Sequence, residues 1–201
     1  ANPGGGVFAS HSADVQLNQL TAANNGGRGV DIHESVAGFA ITHSALSGNR
    51  GEGVFVGDSS GGRIAHNNVS GNCTGILLVD LALPGDTGVT GIRVAHNKII
   101  ANNAYCAGDD EGQPAESGNG LVLVGARGTV VTGNQVRGNA APQPAALSFG
   151  GVAVLDAGPF TGGAAPSGNV LTHNMITGNA PMDLLYDGSG TGNIMRDNIC
   201  A

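Results

Sequence analysis

The stretch that decides the fold is IAHNNVSGNCTGILL, residues 64–78, because its pattern recurs along the chain. Its first half, residues 64–69, has an apolar residue at each end and a His-Asn pair in the middle. Related six-residue segments occupy residues 15–20, 41–46, 94–99, 131–136, 171–176 and 194–199. A Gly-Asn or Ala-Asn pair follows, and then a short glycine-led strand such as Gly75-Ile76-Leu77-Leu78. Several intervals between copies are 23 residues long, and the longer intervals contain insertions. Such a period predicts a solenoid of stacked coils.

The length of the repeat determines what one coil contains. A coil of this size holds about two or three short strands, and each strand pairs in parallel with its counterpart ~4.8 Å away. Gly and Asn supply the left-handed backbone conformations of the turns. We expect the repeated asparagines to hydrogen-bond along the axis: Asn49, Asn72, Asn102, Asn139 and Asn179. The crossover rule for parallel strands favours the right hand. The sequence therefore predicts an all-β fold, a single right-handed parallel β-helix of about seven coils spanning residues 1–201 as one domain.

These repeats resemble the parallel β-helix repeats of the pectate-lyase-like superfamily, in the group that includes carbohydrate-binding and sugar-hydrolase proteins. The resemblance covers essentially the whole chain and implies a fold used for glycans. Asp109-Asp110 is similar to the Asp-Asp pair of polygalacturonases, but the companion Asn-Thr-Asp, Gly-His-Gly and Arg-Ile-Lys motifs of that family are absent. The Asp-Pro-rich motif of alginate epimerases and the Arg/Lys base of pectate lyases are also missing. The resemblance thus implies a class of ligand without an activity.

Composition excludes two classes of partner. The net charge is −7 and Lys98 is the one lysine, whereas a nucleic-acid footprint needs clustered Lys and Arg. No apolar run approaches the ~18 residues of a membrane span. With 36 Gly, no Trp and 40% hydrophobic residues, the chain suits a narrow core of stacked Val, Ile and Leu.

Two of the three cysteines are predicted to form a disulfide. Cys73 follows Asn72, and Cys106 lies four residues after Asn102, the matching asparagine of the next coil. Both cysteines therefore belong to one corner of adjacent coils, where the Cα separation suits a disulfide. A disulfide indicates an oxidising compartment, so we expect an extracellular or cell-surface protein. Cys200 is left over, in a last coil that is expected to lack its terminal cap.

Insertions gather at two corners of the coil. Residues 103–119 and 140–150 precede glycine-led strands, and residues 81–88 and 157–167 follow them, which predicts a groove walled on both sides. The period of two defines an outward row on these strands: Phe8, Asp31, Phe55, Leu77, Val122, Ala153 and Leu185. Within that row, Phe55, Leu77 and Val122 are the candidate ligand contacts. The alternative is that the loops, with Tyr105, Phe149 and Phe160, fold over the row and exclude water.

Carboxylates recur just after the same strands, and we name this set the acidic column: Glu34, Asp58, Asp80 and Asp156. Stacked carboxylates raise one another's pKa or gather a cation such as calcium, and paired carboxylates perform glycoside hydrolysis. Asp58, Asp80 and Asp156 are therefore the candidate catalytic residues, and Glu34 is a candidate ligand contact. In the alternative interpretation these side chains cap the turns by accepting backbone N–H bonds.

A second column consists of His43, His66, His96 and His173. Neutral imidazoles bind metals, but His-Asn at this turn is ordinary repeat chemistry, so no metal site is predicted. The sequence as a whole indicates a secreted β-helix that recognises or processes a glycan or small ligand. If it is an enzyme, it would be a polysaccharide lyase or glycoside hydrolase. The alternative is a non-catalytic binding or structural surface module that uses the apolar residues Phe55, Leu77 and Val122.

Overall fold

The computed structural model describes residues 2–108 and 114–201. Asp109 and Asp110, the pair compared with polygalacturonases, lie outside the described residues. In the described part the chain runs repeatedly through three parallel sheets of seven strands each, which confirms the β-helix of about seven coils.

The three sheets form the three faces of the solenoid. Sheet 1 contains β1 (Val7–Ala9), β4 (Val30–His33), β7 (Glu52–Gly57), β10 (Thr74–Val79), β15 (Asn119–Val124), β18 (Gly150–Leu155) and β21 (Met182–Tyr186). Sheet 2 contains β2 (Gln16–Asn18), β5 (Ala40–Thr42), β8 (Arg63–Ala65), β11 (Arg93–Ala95), β16 (Val130–Thr132), β19 (Val170–Thr172) and β22 (Ile194–Arg196). Sheet 3 contains β3 (Thr21–Ala23), β6 (Ala45–Ser47), β9 (Asn68–Ser70), β12 (Lys98–Ile100), β17 (Gln135–Arg137), β20 (Met175–Thr177) and β23 (Ile199–Cys200).

Two insertions carry small elements of their own. In residues 103–119, β13 (Tyr105–Cys106) pairs antiparallel with β14 (Glu116–Ser117). In residues 157–167, a single helical turn, α1 (Gly158–Thr161), follows β18. None of the helices in the described residues is long and apolar enough to cross a membrane.

The core is a column of aliphatic side chains inside the coils. In sheet 1, Val54 aligns with Ile76, Ile76 with Leu121 and Leu121 with Val152, and all four are at most 1% exposed. The outward row follows the predicted register too, since Phe55 aligns with Leu77 and Leu77 with Val122. The period of two therefore assigned the two faces of sheet 1 correctly.

Buried asparagines form hydrogen-bonded ladders at the turns. Asn49 Nδ2 donates to Asn72 Oδ1 at 2.9 Å, and the same bond repeats through the predicted set to Asn179. A second ladder joins Asn67, Asn97, Asn134 and Asn174. Because a buried amide without partners is costly, each coil satisfies the polar groups of its neighbour. Beside this second ladder, the imidazole rings of His43, His66 and His96 stack on the surface with centroids 5.2 Å apart.

Candidate functional site

A cavity of about 490 Å³ lies over the outer face of sheet 1. Each of the four insertions supplies part of its wall, which confirms the predicted groove. The wall residues include Cys106 and Glu116 from the first insertion along the sheet, Phe149 from the second, Leu81 from the loop after β10 and Phe160 from the loop after β18.

The floor of the cavity is the apolar part of the outward row. Leu77 is half-buried and faces the cavity, whereas Phe55 and Val122 are only 4% and 3% exposed. Phe149 packs on this apolar layer, and Phe160 at the rim remains half-exposed. Phe55 and Val122 are therefore largely dry, as the alternative interpretation expected, although both still line the cavity together with Leu77.

A row of polar side chains lies where three strands of sheet 1 begin. Glu52 aligns with Thr74, and Thr74 aligns with Asn119, each one position before the glycine of its strand. A Cβ atom on Gly53 would lie 2.8 Å from Asn72 Nδ2, inside the coil. The glycine position is therefore turned inward, which directs the preceding side chain outward. Glu52, Thr74 and Asn119 all line the cavity for this reason.

Glu52 is held by an arginine from the preceding coil. Arg28 Nε donates to Glu52 Oε2 at 3.0 Å, and Arg28 Nη1 donates to Asp31 Oδ2 at 2.9 Å. The guanidinium also lies 3.6 Å from the centroid of the Phe55 ring. Burial acts to lower the pKa of Arg28, but attraction to Glu52 and Asp31 outweighs it and raises that pKa. Glu52 is thus a buried carboxylate, 6% exposed, with a fixed cationic partner.

Glu116 reaches the same cavity from β14. Thr74 Oγ1 donates to Glu116 Oε2 at 2.7 Å, and Asn119 Nδ2 donates to Thr74 Oγ1 at 3.0 Å. Burial, and after it the nearby charge of Glu52, raises the pKa of Glu116 to about 7. The cavity therefore contains one carboxyl group that is protonated in mildly acidic solution and one that is paired with Arg28.

The predicted disulfide between Cys73 and Cys106 is confirmed, with Cα atoms 5.8 Å apart. It supports Glu116 from both sides, because Cys106 pairs with Glu116 across the β13–β14 ladder and Cys73 adjoins Thr74. The two sulfur atoms and a Glu116 oxygen lie within 4.8 Å of one another. In residues 2–108 and 114–201 this is the one such cluster of metal-ligand types, and its sulfurs are already bonded to each other. No group of three or more carboxylates lies this close together in the described residues.

The acidic column is in register, but its carboxylates serve the turns. Asp58 is 2% exposed and accepts bonds from the Leu81 and Leu83 amides at 2.8 and 3.1 Å. Burial is the main cause that raises the pKa of Asp58. Asp80, 5% exposed, accepts from the Ala82 amide at 3.0 Å.

Asp156 is less buried, and it accepts from the Gly158 amide at 2.9 Å. The expectation of ligand-accessible carboxylates is therefore wrong for Asp58 and Asp80, because backbone amides occupy them. Among the described residues that line the cavity, none belongs to the acidic column.

Glu34 also lies away from the cavity. Its side chain is 38% exposed and lies 3.3 Å from His33 Nε2 and 3.6 Å from His11 Nδ1. The described lining of the cavity includes Arg28, just before β4, but not Glu34, which follows that strand, so Glu34 does not meet a ligand bound there. The expected ligand contact at Glu34 is corrected accordingly.

Sequence reasoning missed the polar end of the cavity. A signal did exist for most of it, because the residue before the glycine of four successive strands is polar: Arg28, Glu52, Thr74 and Asn119. The count of two places these residues inward, and the inward glycine reverses that direction. For Glu116 the sequence offered only its position within the longest insertion.

Comparison with known proteins places the chain in a family. Two solved structures of mutant forms of the periplasmic alginate epimerase AlgG match it, with TM-scores of 0.61 and 0.59 at 14% and 13% identity. In both cases 98% of this chain aligns with 48% of the other, so the chain spans about half the length of AlgG. No curated protein matches the sequence. The family model described as a right-handed beta helix region matches residues 1–165. The chain belongs to the right-handed β-helix family.

Proposed function

We propose that this chain cleaves a glycan by hydrolysis in the cavity over sheet 1, with Glu116 as general acid and Glu52 as general base. The observation that carries the proposal is the pair of carboxyl groups with opposite surroundings. Glu116 is partly buried and bonded to a neutral hydroxyl, whereas Glu52 is paired with Arg28. Two titratable groups whose environments differ in this way are the arrangement that glycoside hydrolysis uses.

The reaction needs a proton donor and a proton acceptor around one sugar. Glu116 donates its proton to the glycosidic oxygen as the bond from that oxygen to the anomeric carbon breaks. Glu52 takes a proton from the water molecule whose hydroxyl group adds to the same carbon, while the departing glycosidic oxygen keeps the proton from Glu116. Arg28 keeps Glu52 in place by its ion pair, and Thr74 orients the Glu116 carboxyl group.

The fold comparison supports glycans as the ligand class. AlgG, which has the same architecture, is an alginate epimerase and is periplasmic. The Cys73–Cys106 disulfide agrees with an oxidising compartment, so we place this chain outside the cytoplasm. The cavity volume falls within the range of roughly 300–1,000 Å³ typical of small-molecule sites. It suits one end or one short segment of a glycan.

The test is a turnover screen of neutral and uronate-containing oligosaccharides at about pH 6, with reducing ends as the readout. Glu116→Gln and Glu52→Gln should each lower the turnover number by about 10²-fold or more, the scale of lost acid–base catalysis. Both variants keep the shape and an oxygen acceptor. Asp197→Asn removes one exposed carboxylate far from the cavity and serves as the matched control.

Three results would contradict the proposal. Turnover that is unchanged in Glu116→Gln would exclude it as the acid. An unsaturated product that absorbs in the ultraviolet would indicate a lyase, which needs no water. Absence of turnover across the screen, together with saturable binding of one ligand, would favour the non-catalytic binding module.

A further inference from the structure

The cavity has two ends of different chemistry. Among its described lining residues, the charged side chains are Arg28, Arg50, Glu52 and Glu116, which all lie where the strands of sheet 1 begin. The opposite end is lined by the apolar side chains of Val79, Leu81, Val124, Leu155 and Phe160, and by Thr161, whose hydroxyl is already bonded to the Asp80 carbonyl oxygen. A ligand that fills the cavity is therefore required to be polar at one end and apolar at the other.

The apolar end extends far enough to hold a chain of several carbon atoms. Val79 lies five residues beyond Thr74 along β10, which corresponds to roughly 16 Å at ~3.3 Å per residue. Val79 aligns with Val124 and Val124 with Leu155, so three coils contribute to one apolar surface. Leu77, the half-buried floor residue, lies between the two ends.

The acidic column builds the wall at this apolar end. Asp58 holds the backbone amide of Leu81, and Asp80 Oδ2 accepts from the Ala164 amide at 3.1 Å. Thr161 Oγ1 donates to the Asp80 carbonyl oxygen at 2.6 Å, which fixes α1 against the loop after β10. Phe160 and Leu81 are thereby held at the rim without any charged group turned into the cavity.

We infer that the cavity binds an amphiphilic glycoside, with the sugar at Glu52 and Glu116 and an alkyl or acyl chain over Leu77 toward Phe160. This inference rests on the proposed function for the identity of the polar part. A second sugar in the apolar end would leave hydroxyl groups without partners, and each unpaired buried hydroxyl is costly. An aliphatic chain has no such groups and matches the distribution of charge in the cavity.

The experiment measures binding of methyl, butyl, hexyl and octyl β-D-glucosides by calorimetry, below their micelle concentrations, with the Glu116→Gln protein. Burying one methylene group corresponds to about a three- to fourfold gain in affinity. From butyl to octyl we therefore expect an increase of roughly 100-fold. An affinity that stays flat from methyl to octyl would overturn the inference.

Matched variants locate the chain within the cavity. Phe160→Ser and Leu77→Ser should each reduce the gain from butyl to octyl by at least about fivefold. Phe8→Ser, at an exposed outward position beyond the cavity, is the control for Phe160→Ser, and Leu185→Ser, in the outward row, is the control for Leu77→Ser. Equal losses in a variant and its control would show that the chain binds elsewhere, and would also overturn the inference.

Different results would refute the inference and the proposed function. Turnover of short glycosides by the unmodified protein without any gain from chain length would remove the inference and keep the hydrolase. A strong gain from chain length with no turnover of any glycoside would remove the hydrolase and keep the apolar subsite.

Discussion

The strands of sheet 1 begin along one edge of the sheet and end along the other, and the carboxylates at these two edges differ in character. At the edge where the strands end, Asp58 and Asp80 repeat from coil to coil and are bonded to turn amides. At the edge where the strands begin, Glu52 and Glu116 interrupt the repeat and face a cavity. Glu52 is paired with an arginine and Glu116 comes from an inserted loop.

The difference shows what regularity means in a solenoid. Asp58 and Asp80 recur at the same turn of successive coils, and their carboxylate oxygens are already occupied by amides of that turn. Glu52 and Glu116 are bonded instead to Arg28 and Thr74, side chains that line the same cavity, so their carboxyl groups lie where a ligand binds. In this chain the irregular edge is therefore the better candidate for chemistry.

The strongest test compares one carboxyl group from each edge, Asp58 and Glu116, for its effect on stability and on turnover. Asp58→Asn should lower the melting temperature, because an amide cannot accept both the Leu81 and Leu83 N–H bonds, a loss of about 1–3 kcal/mol. Its turnover of a substrate found in the screen should change by less than about threefold. Glu116→Gln should show the reverse, a loss of about 10²-fold or more in turnover without a fall in melting temperature. A loss of turnover in Asp58→Asn that equals that of Glu116→Gln would return catalysis to the acidic column.

The next test removes the disulfide that supports the irregular edge. Cys73 and Cys106 are 33 residues apart in sequence, and chain-entropy estimates for such a loop give about 3–4 kcal/mol of stabilisation. The double variant Cys73→Ser/Cys106→Ser should lose this much in urea unfolding, and Cys200→Ser, at an exposed free thiol, should lose nothing. Equal stability of the double variant and Cys200→Ser would show that the bond constrains little.

The pH dependence of stability should reveal the raised pKa of Glu116. Its pKa rises from 4.5 in the unfolded chain to about 7 in the fold, because burial and then Glu52 disfavour the charged form. The folded state therefore binds this proton more tightly. The resulting stabilisation is fully present below pH ~4.5 and is lost as the pH rises through about 7. The shift corresponds to at most about 3 kcal/mol.

Urea unfolding of Glu116→Gln across this pH range should lack that decline, while Asp197→Asn should retain it. In Glu52→Gln the pKa of Glu116 should fall, because one of the causes that raise it is gone. If stability still falls with rising pH in Glu116→Gln, another titratable group is responsible for the fall.

The smallest expected effect concerns the histidine column, a regular feature like the acidic column. Desolvation, and after it the neighbouring His43, His96 and Arg63, lowers the pKa of His66 below 6.5. Because the folded pKa is depressed, the contribution to stability is present above pH 6.5 and is lost as the pH falls through the folded value. NMR titration should find His66 below 6.5. In His66→Asn the protein should lose slightly less stability in acid than the unmodified protein does. A measured pKa of His66 above 6.5 would contradict the effect of desolvation and the neighbouring charges.

The local repeat was enough to predict most of the scaffold. Residues 64–78 predicted the coil, the inward positions of Ile76 and its counterparts, and the shared corner of Cys73 and Cys106. These predictions hold because each coil contacts mainly its neighbours, so a register read between two copies applies to all of them. The insertions were also assigned correctly to the walls of one face, since loops at equivalent corners lie on the same side of the stack.

The candidate site depended on two features that a simple count of two along the strands does not reveal. At Gly53 the glycine is turned inward, and this reverses the direction of Glu52 relative to a simple count of two. The second feature is the pairing of β14 with β13, which accompanies the contact of Glu116 with Thr74, 42 residues away in sequence.

The sequence by itself determined the coils, their register, the asparagine ladders and the disulfide, because these follow from contacts between adjacent copies of one repeat. The tertiary structure alone decided which carboxyl groups are occupied by turn amides and which face a cavity. The physical reason is that the burial and the partners of a carboxyl group depend on loops packing across several coils, and no single repeat contains that information.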